Sequence, residues 1–235
     1  MRAAGAYDCS AMDDQSDSAQ SFAVPLFPLP DVVLFPRAVL PLHIFEERYK
    51  AMMASALAGQ RRIAIALLKA GWEQDYYSAP PIEPVVCVGR ILASERLVDG
   101  KYNLLLQGET RASIVREEST EPFRTATVQP ISQIPVLEID LANQRQRLIE
   151  MFCNGPMSTT MTGSQLRKML ASPLSTGEIA DLIAFNVLED APLKQSLLAE
   201  LDVRRRVGRL LAALEMALPA LQDSYRRYGE DIHMN

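Results

Sequence analysis

The chain is expected to be an α+β protein, with a strand-rich front half of mostly antiparallel sheet curled toward a barrel and an all-helical rear half. Three observations carry that expectation. Between Phe22 and Ile131 the apolar residues recur mostly with the period of two that strands require. After Pro135 the period becomes that of helices. The opening stretch from Val24 to Met53, VPLFPLPDVVLFPRAVLPLHIFEERYKAMM, carries Pro25, Pro28, Pro30, Pro36 and Pro41. Each proline removes a backbone donor and biases its predecessor toward extended geometry, so no long helix runs through this stretch.

Taken in order, residues 1–21 are small, polar and acidic and predict a mobile tail, because they hold too little apolar area to offset the entropy of ordering. Short extended pieces follow at Val24–Leu29, Val32–Phe35 and Leu40–Ile44, joined by bends. From Glu46 onward, Glu47, Arg48 and Lys50 lie among Tyr49, Met52, Met53 and Leu57, with Gly59 closing the run, which predicts one helix. Ile63–Leu68 and Val85–Leu92 read as strands. Asp99-Gly100 separates Ile91–Val98 from Lys101–Gln107 and predicts a hairpin with a two-residue connection. In its second arm Tyr102, Leu104 and Leu106 alternate with Lys101, Asn103 and Gln107, giving one apolar face and one mostly wet face. Gly108 is expected to break the run before Arg111–Arg116, and Arg124–Gln129 is the last strand. About six short strands would then curl so that few edges stay exposed.

The rear half reads as a bundle of four helices with short connections. Leu141, Leu148, Ile149 and Phe152 suit an amphipathic helix ending at Asn154-Gly155-Pro156, Met157–Gly163 suits a loop, and Leu166, Met169 and Leu170 a short helix. Ser175-Thr176-Gly177-Glu178 predicts a capping box for the helix that carries Ile179, Leu182 and Ile183. Leu193, Leu197, Leu198 and Leu201, then Val203, Val207, Leu210, Leu211, Leu214 and Leu218, continue at helical spacing. The organisation expected is a tail over 1–21, a β-rich unit over 22–132, a helical unit over 136–220 and a polar tail over 221–235.

Composition narrows the function. A formal charge of -5 over 235 residues disfavours a general nucleic-acid surface, which needs clustered Lys and Arg. Cys9, Cys87 and Cys153 are widely spaced without a C-x-x-C pair, and His43 and His233 are the two histidines. That set falls short of a four-ligand zinc site, and Cys87, inside an apolar run, reads as a buried neutral thiol. Scattered cysteines and the lack of a secretory leader pattern point to a reducing cytoplasm, and no apolar stretch reaches the roughly 20 residues of a membrane span.

The order P-L-F-P-L-P, then V-L-F-P, then P-L-H-I-F-E-x-R-Y resembles the opening of the amino-terminal, substrate-binding domain of Lon proteases, the stand-alone Lon-domain proteins and, more distantly, cereblon. Val88-Gly89-Arg90-Ile91-Leu92, Asp99-Gly100, Gly108-Glu109-Thr110-Arg111 and the helical G-E-I-A-D-L-I-A, K-Q-S-L-L and D-V-x-x-R stretches extend the likeness to about Leu218. The family has an aromatic after the arginine of its G-x-x-R-F turn, where this chain has Ala112. The resemblance implies a PUA-like barrel, no catalytic residues, no cofactor and no metal, and it implies binding of unfolded or extended polypeptides, with a protease or chaperone as a further partner.

A Lon protease would need a G-x-x-x-x-G-K-[ST] phosphate loop and a Ser-Lys dyad; the sequence offers no such loop, and Gly100-Lys101 lacks its first glycine. His43, between Leu42 and Ile44, reads as a structural histidine rather than a general base oriented by Glu46 or Glu47. Arg204, Arg205, Arg206 and Arg209 read as a solvated face paired with Glu200, Asp202 and Glu215. The expected function is non-catalytic polypeptide recognition, with Phe45, Glu47, Arg48, Tyr49, Trp72, Tyr76 and Tyr77 as candidate contacts. Among these, Glu47 and Arg48 match charged positions that the family's domain is thought to use. A small-molecule or nucleic-acid-binding PUA-like sensor is the alternative, and a hydrolase built on His43 the third.

Overall fold

The computed structural model describes residues 20–75, 79–154 and 168–232. Six strands form one sheet: β1 (Phe22–Leu29), β2 (Val39–Ile44), β3 (Arg62–Leu67), β4 (Val85–Arg96), β5 (Tyr102–Thr120) and β6 (Phe123–Pro130). Helix α1 (Glu47–Ala58) follows β2, and α2 (Ala142–Ile149), α3 (Thr176–Val187), α4 (Ala191–Ala199) and α5 (Val203–Ile232) build the rear half. The strand order is β2-β5-β4-β3-β1-β6, and β6 pairs back onto β5. Five strands therefore close into a barrel, while β2 lies outside the ring on the first half of β5. β1 and β3 run parallel; the other pairs are antiparallel.

Alternation along the strands creates two apolar layers. Val24, Leu26, Ala64, Ala66, Val86, Val88, Ala112, Ala126 and Val128 form one buried cluster. These side chains are small because a five-stranded ring leaves little room at its axis. Ala112, where the resemblance implies an aromatic, is fully buried in this cluster beside its β4 partner Val86. The alternate positions Phe27, Ile63, Ile65, Cys87 and Ile91 belong to a second cluster that takes in Met52 and Met53 of α1 and Leu148, Ile183, Leu197 and Leu210 of the bundle. Burial pushes the Cys87 thiol far above its ordinary range, more than the nearby Arg111 charge lowers it, so the thiol stays neutral.

Four local expectations change. Val32–Phe35 forms no strand, although Val33, Leu34 and Phe35 are buried; Gly108, facing this segment, sits where a Cβ would lie 2.0 Å from the Phe35 carbonyl oxygen. Gly108 does not end its strand. β5 continues to Thr120, with Glu109 as an extra residue between the Gly89–Gly108 and Val88–Thr110 pairs. The hairpin connection is three residues long, since Leu97 N–H bonds to the Lys101 carbonyl and Gly100 N–H to that of Leu97. Gly100 has φ +80° while Asp99 keeps a negative φ, the pattern of a turn followed by a glycine bulge. Arg206 is buried, not solvated.

The burial of Arg206 has a partner. Arg111 from β5 and Arg206 from α5 reach the same Asp181 Oδ1 of α3, at 2.6 and 3.0 Å, with all three side chains almost fully enclosed. Arg111 Nε also donates to the Leu198 carbonyl, and Arg206 Nη1 to that of Glu200. Around this centre Gln195 donates to the Val85 carbonyl at 2.8 Å, Ile134 N–H to that of Leu201 at 2.9 Å, and Arg37 to Glu178 at 2.6 Å. Barrel and bundle are thus joined by polar contacts set within apolar packing.

Removing the carboxylate would leave two buried guanidiniums uncompensated. Asp181→Ala is expected to cost about 3–5 kcal/mol in urea unfolding. The predicted capping box of α3 is present, with Ser175 and Glu178 bonded reciprocally. Burial raises the Glu178 pKa, but the Ser175 hydrogen bonds and Arg37 outweigh it, and the carboxyl lies below its ordinary 4.5. Its stabilisation is therefore complete above that value and fades as pH falls through the lower folded value. Glu178→Gln should cost about 1 kcal/mol at neutral pH and flatten the loss of stability on acidification, read from urea midpoints across the acid range.

Candidate functional site

The first half of β5 leaves the barrel between β2 and the end of β4, forming a three-stranded ribbon whose outer face meets no described element. Register decides which side chains share that face. Pro41 pairs with Leu105 and Leu105 with Ala93; His43 pairs with Asn103 and Asn103 with Glu95. An irregularity in β4 leaves Leu92 unpaired between Ile91 and Ala93, and Leu92 is turned outward. Val39, Leu92, Leu105 and Phe45 are 40, 48, 42 and 60% exposed. Between the rows runs a groove of about 490 Å³, lined by Pro41, Leu42, His43, Ala93, Ser94, Glu95, Asn103, Leu104 and Leu105.

β2 is the outer strand of this ribbon and pairs only with β5 among the described residues. Gly108 N–H donates to the Ala38 carbonyl, so by alternation Leu40, Leu42 and Ile44 exchange bonds with β5, while Val39, Pro41 and His43 turn their backbone groups outward. Pro41 has no N–H to offer there. The edge is blunted for strand addition, and the face carries the accessible apolar surface.

The sequence candidates separate on burial. Phe45 stands exposed at the end of β2, its ring stacked 6.3 Å from that of His43. Glu47 opens α1 with an exposed side chain and pairs with Lys50 at 2.5 Å. Arg48 is half-buried, bonded to Glu46 at 3.0 Å and lying over the Tyr49 ring. Tyr49 is buried, its ring 4.5 Å from that of Phe27, so it belongs to the core and has no face for a bound chain. Trp72 is half-buried against the small-residue cluster of the barrel and folds back onto it. Tyr76 and Tyr77 lie outside the described residues. The structure brings Phe45 and Glu47 to one end of the ribbon and leaves Trp72 on the barrel.

His43 is exposed rather than packed, and shares a 2.7 Å hydrogen bond with Asn103. That partner is an amide, not the orienting carboxylate that a general base would need. Sequence reasoning missed Leu105, Val39 and Leu92. The signal for Leu105 was available: Leu104-Leu105-Leu106 in a strand with one buried face must send its middle leucine outward.

A small barrel carrying an apolar ribbon, docked on a helical bundle through a buried ion cluster, makes up the described fold. It resembles the N-terminal domain of a Mycobacterium avium complex Lon protease, with a TM-score of 0.64 at 18% identity over 81% of this chain and 97% of that one. A Lon N-terminal domain protein from Xanthomonas campestris gives a TM-score of 0.59 at 22% identity, over 81% and 98%. Residues 23–216 match the family described as the ATP-dependent protease La (LON) substrate-binding domain, and the chain belongs to that family. Among curated relatives, the Lon protease of Desulfosudis oleivorans is 23% identical over 85% of this chain and 24% of its own length. Lon protease 2 of Herpetosiphon aurantiacus is 28% identical over 89% and 26%. The chain spans about a quarter of these relatives, and the part it matches is the substrate-binding domain. No helix among the described residues is long and apolar enough to cross a membrane.

Because the ribbon's outer side chains are exposed, Phe45→Glu and Leu105→Glu should each leave the unfolding free energy from urea titration within about 0.5 kcal/mol of the parent. The pair should also reduce the fluorescence of an added apolar dye, the readout for the exposed face.

Proposed function

We propose that the chain grips extended or partly unfolded polypeptide segments on the outer face of its β2-β5-β4 ribbon. The observation that carries this reading is the groove lined by Pro41, Ala93 and Leu105 on a register-fixed ribbon that also exposes Val39, Phe45 and Leu92. An extended chain repeats its side chains with the same period as the ribbon, so alternate apolar residues can settle between the rows of Pro41-Leu105 and His43-Asn103. Phe45 is the large anchor at one end, and aromatic anchors carry a disproportionate share of such binding. Glu47, near that end, and Glu95, in the groove, disfavour acidic segments. A folded protein has already buried the residues that fit, so the preference is for unfolded chains.

The relatives are proteases in which a domain of this family occupies about a quarter of the length. We infer that the grip serves proteolysis by presenting segments, and that the chain itself does no chemistry.

The test is anisotropy of a labelled protein held unfolded by reduction and alkylation, compared with its native form. The unfolded form should bind preferentially, and Phe45→Glu with Leu105→Glu should weaken it by about tenfold or more. Equal binding of native and unfolded forms, or no effect of the pair, would sink the proposal.

A further inference from the structure

The ribbon groove is apolar along one row of side chains and charged at a single point in the next. Of its described lining residues Glu95 supplies the one carboxylate, and no lysine or arginine is among them. Register sets it in the row His43, Asn103 and Glu95, beside the apolar row Pro41, Leu105 and Ala93. Within its row His43 Nδ1 and Asn103 Oδ1 satisfy each other at 2.7 Å. Glu95 is exposed and makes no hydrogen bond or ion pair with any described residue.

The neighbouring charges are answered or face elsewhere. Glu47 pairs with Lys50, Asp99 with Lys101 and Arg90 with Glu109, while Arg96 lies on the other face of β4, over the Tyr102 ring. Arg90 shares a row with Gln107 and Val39, and Gln107 stands four residues from Asn103, roughly 13 Å along an extended strand. That is beyond the Debye length of about 10 Å in 0.1 M salt. The Glu95 charge therefore acts on whatever enters the groove, and the apolar wall beside it concentrates its field there.

A bound extended chain aligned with the strands spaces its alternate side chains by about 6.6 Å, the same step that separates the two rows. An apolar side chain seated over Pro41, Leu105 and Ala93 thus brings the side chain two residues away beside Glu95. The side chain one residue away points off the sheet. We infer that Glu95 is a specificity-determining residue that selects polypeptide segments carrying a lysine or arginine two residues from an apolar side chain. The basic group pairs with the carboxylate while the apolar one fills the adjoining row. This rests on the ribbon as the gripping surface and adds the chemical class of segment it prefers.

The experiment is fluorescence anisotropy of the full chain with a labelled peptide in which leucine alternates with serine and a lysine stands two residues beyond the last leucine. Three further versions replace that lysine by glutamine, replace it by glutamate, or exchange it with the serine before it. The spaced lysine should bind about twofold to fivefold more tightly than the glutamine and exchanged versions, with glutamate the weakest. Glu95→Gln should bring the lysine and glutamine versions to equal affinity, and Glu95→Lys should place glutamate above lysine. No advantage of the spaced lysine over the exchanged one, or the same advantage in Glu95→Gln, would overturn the inference; if Phe45→Glu with Leu105→Glu still weakens every version, the grip stands without it. No binding of any version, or binding untouched by that pair, would contradict the grip and the inference together.

Discussion

The carboxylate of Asp181, held from one side by Arg111 and from the other by Arg206, is the contact on which the arrangement of the molecule depends. Arg111 is part of a barrel strand, Arg206 of the long last helix, and Asp181 of the helix between them. A charge taken from water must be met by partners in the right places, and this requirement ties α3 and α5 to β5 alongside the apolar packing they share. The hydrogen bonds at Leu198, Glu200 and Val85 extend the same constraint to α4 and β4.

With that joint set, the outward side of the barrel strands is covered by α1 and the bundle, and the lumen is filled by alanine and valine. The ribbon is what remains uncovered. It projects past the ring because β5 is long enough to pair with β2 and β4 first and with β4 and β6 later. It is hydrogen-bonded into the barrel it grows out of, and its outer face stays open because β2 closes no ring. Support and accessibility, which usually conflict for apolar side chains, coincide here.

Elements were legible in the sequence where a local rule is strong. The prolines excluded a long helix early in the chain, Ser175 and Glu178 announced a cap, and the leucine spacing gave α4 and α5. Details set by distant contacts were not. Gly108 looked like a break because its partner, the Phe35 carbonyl, is remote in sequence. Arg206 looked solvated because neighbouring acids gave it local partners, whereas Asp181 and Gln133 were out of view. Tyr49 and Phe45 were indistinguishable as aromatics flanking a helix start, yet one packs on Phe27 and the other faces water. Leu105 was legible and overlooked, and it lines the groove.

The central claim is that a firmly joined barrel and bundle hold out a ribbon whose face does the gripping. Hydrogen–deuterium exchange of the full chain, with and without a saturating unfolded polypeptide, tests it most directly. The account predicts added protection confined to Val39–Ile44 and the Leu92–Gln107 hairpin, with the amides around Arg111, Asp181 and Arg206 unchanged. Protection on the bundle with none on the ribbon would contradict it.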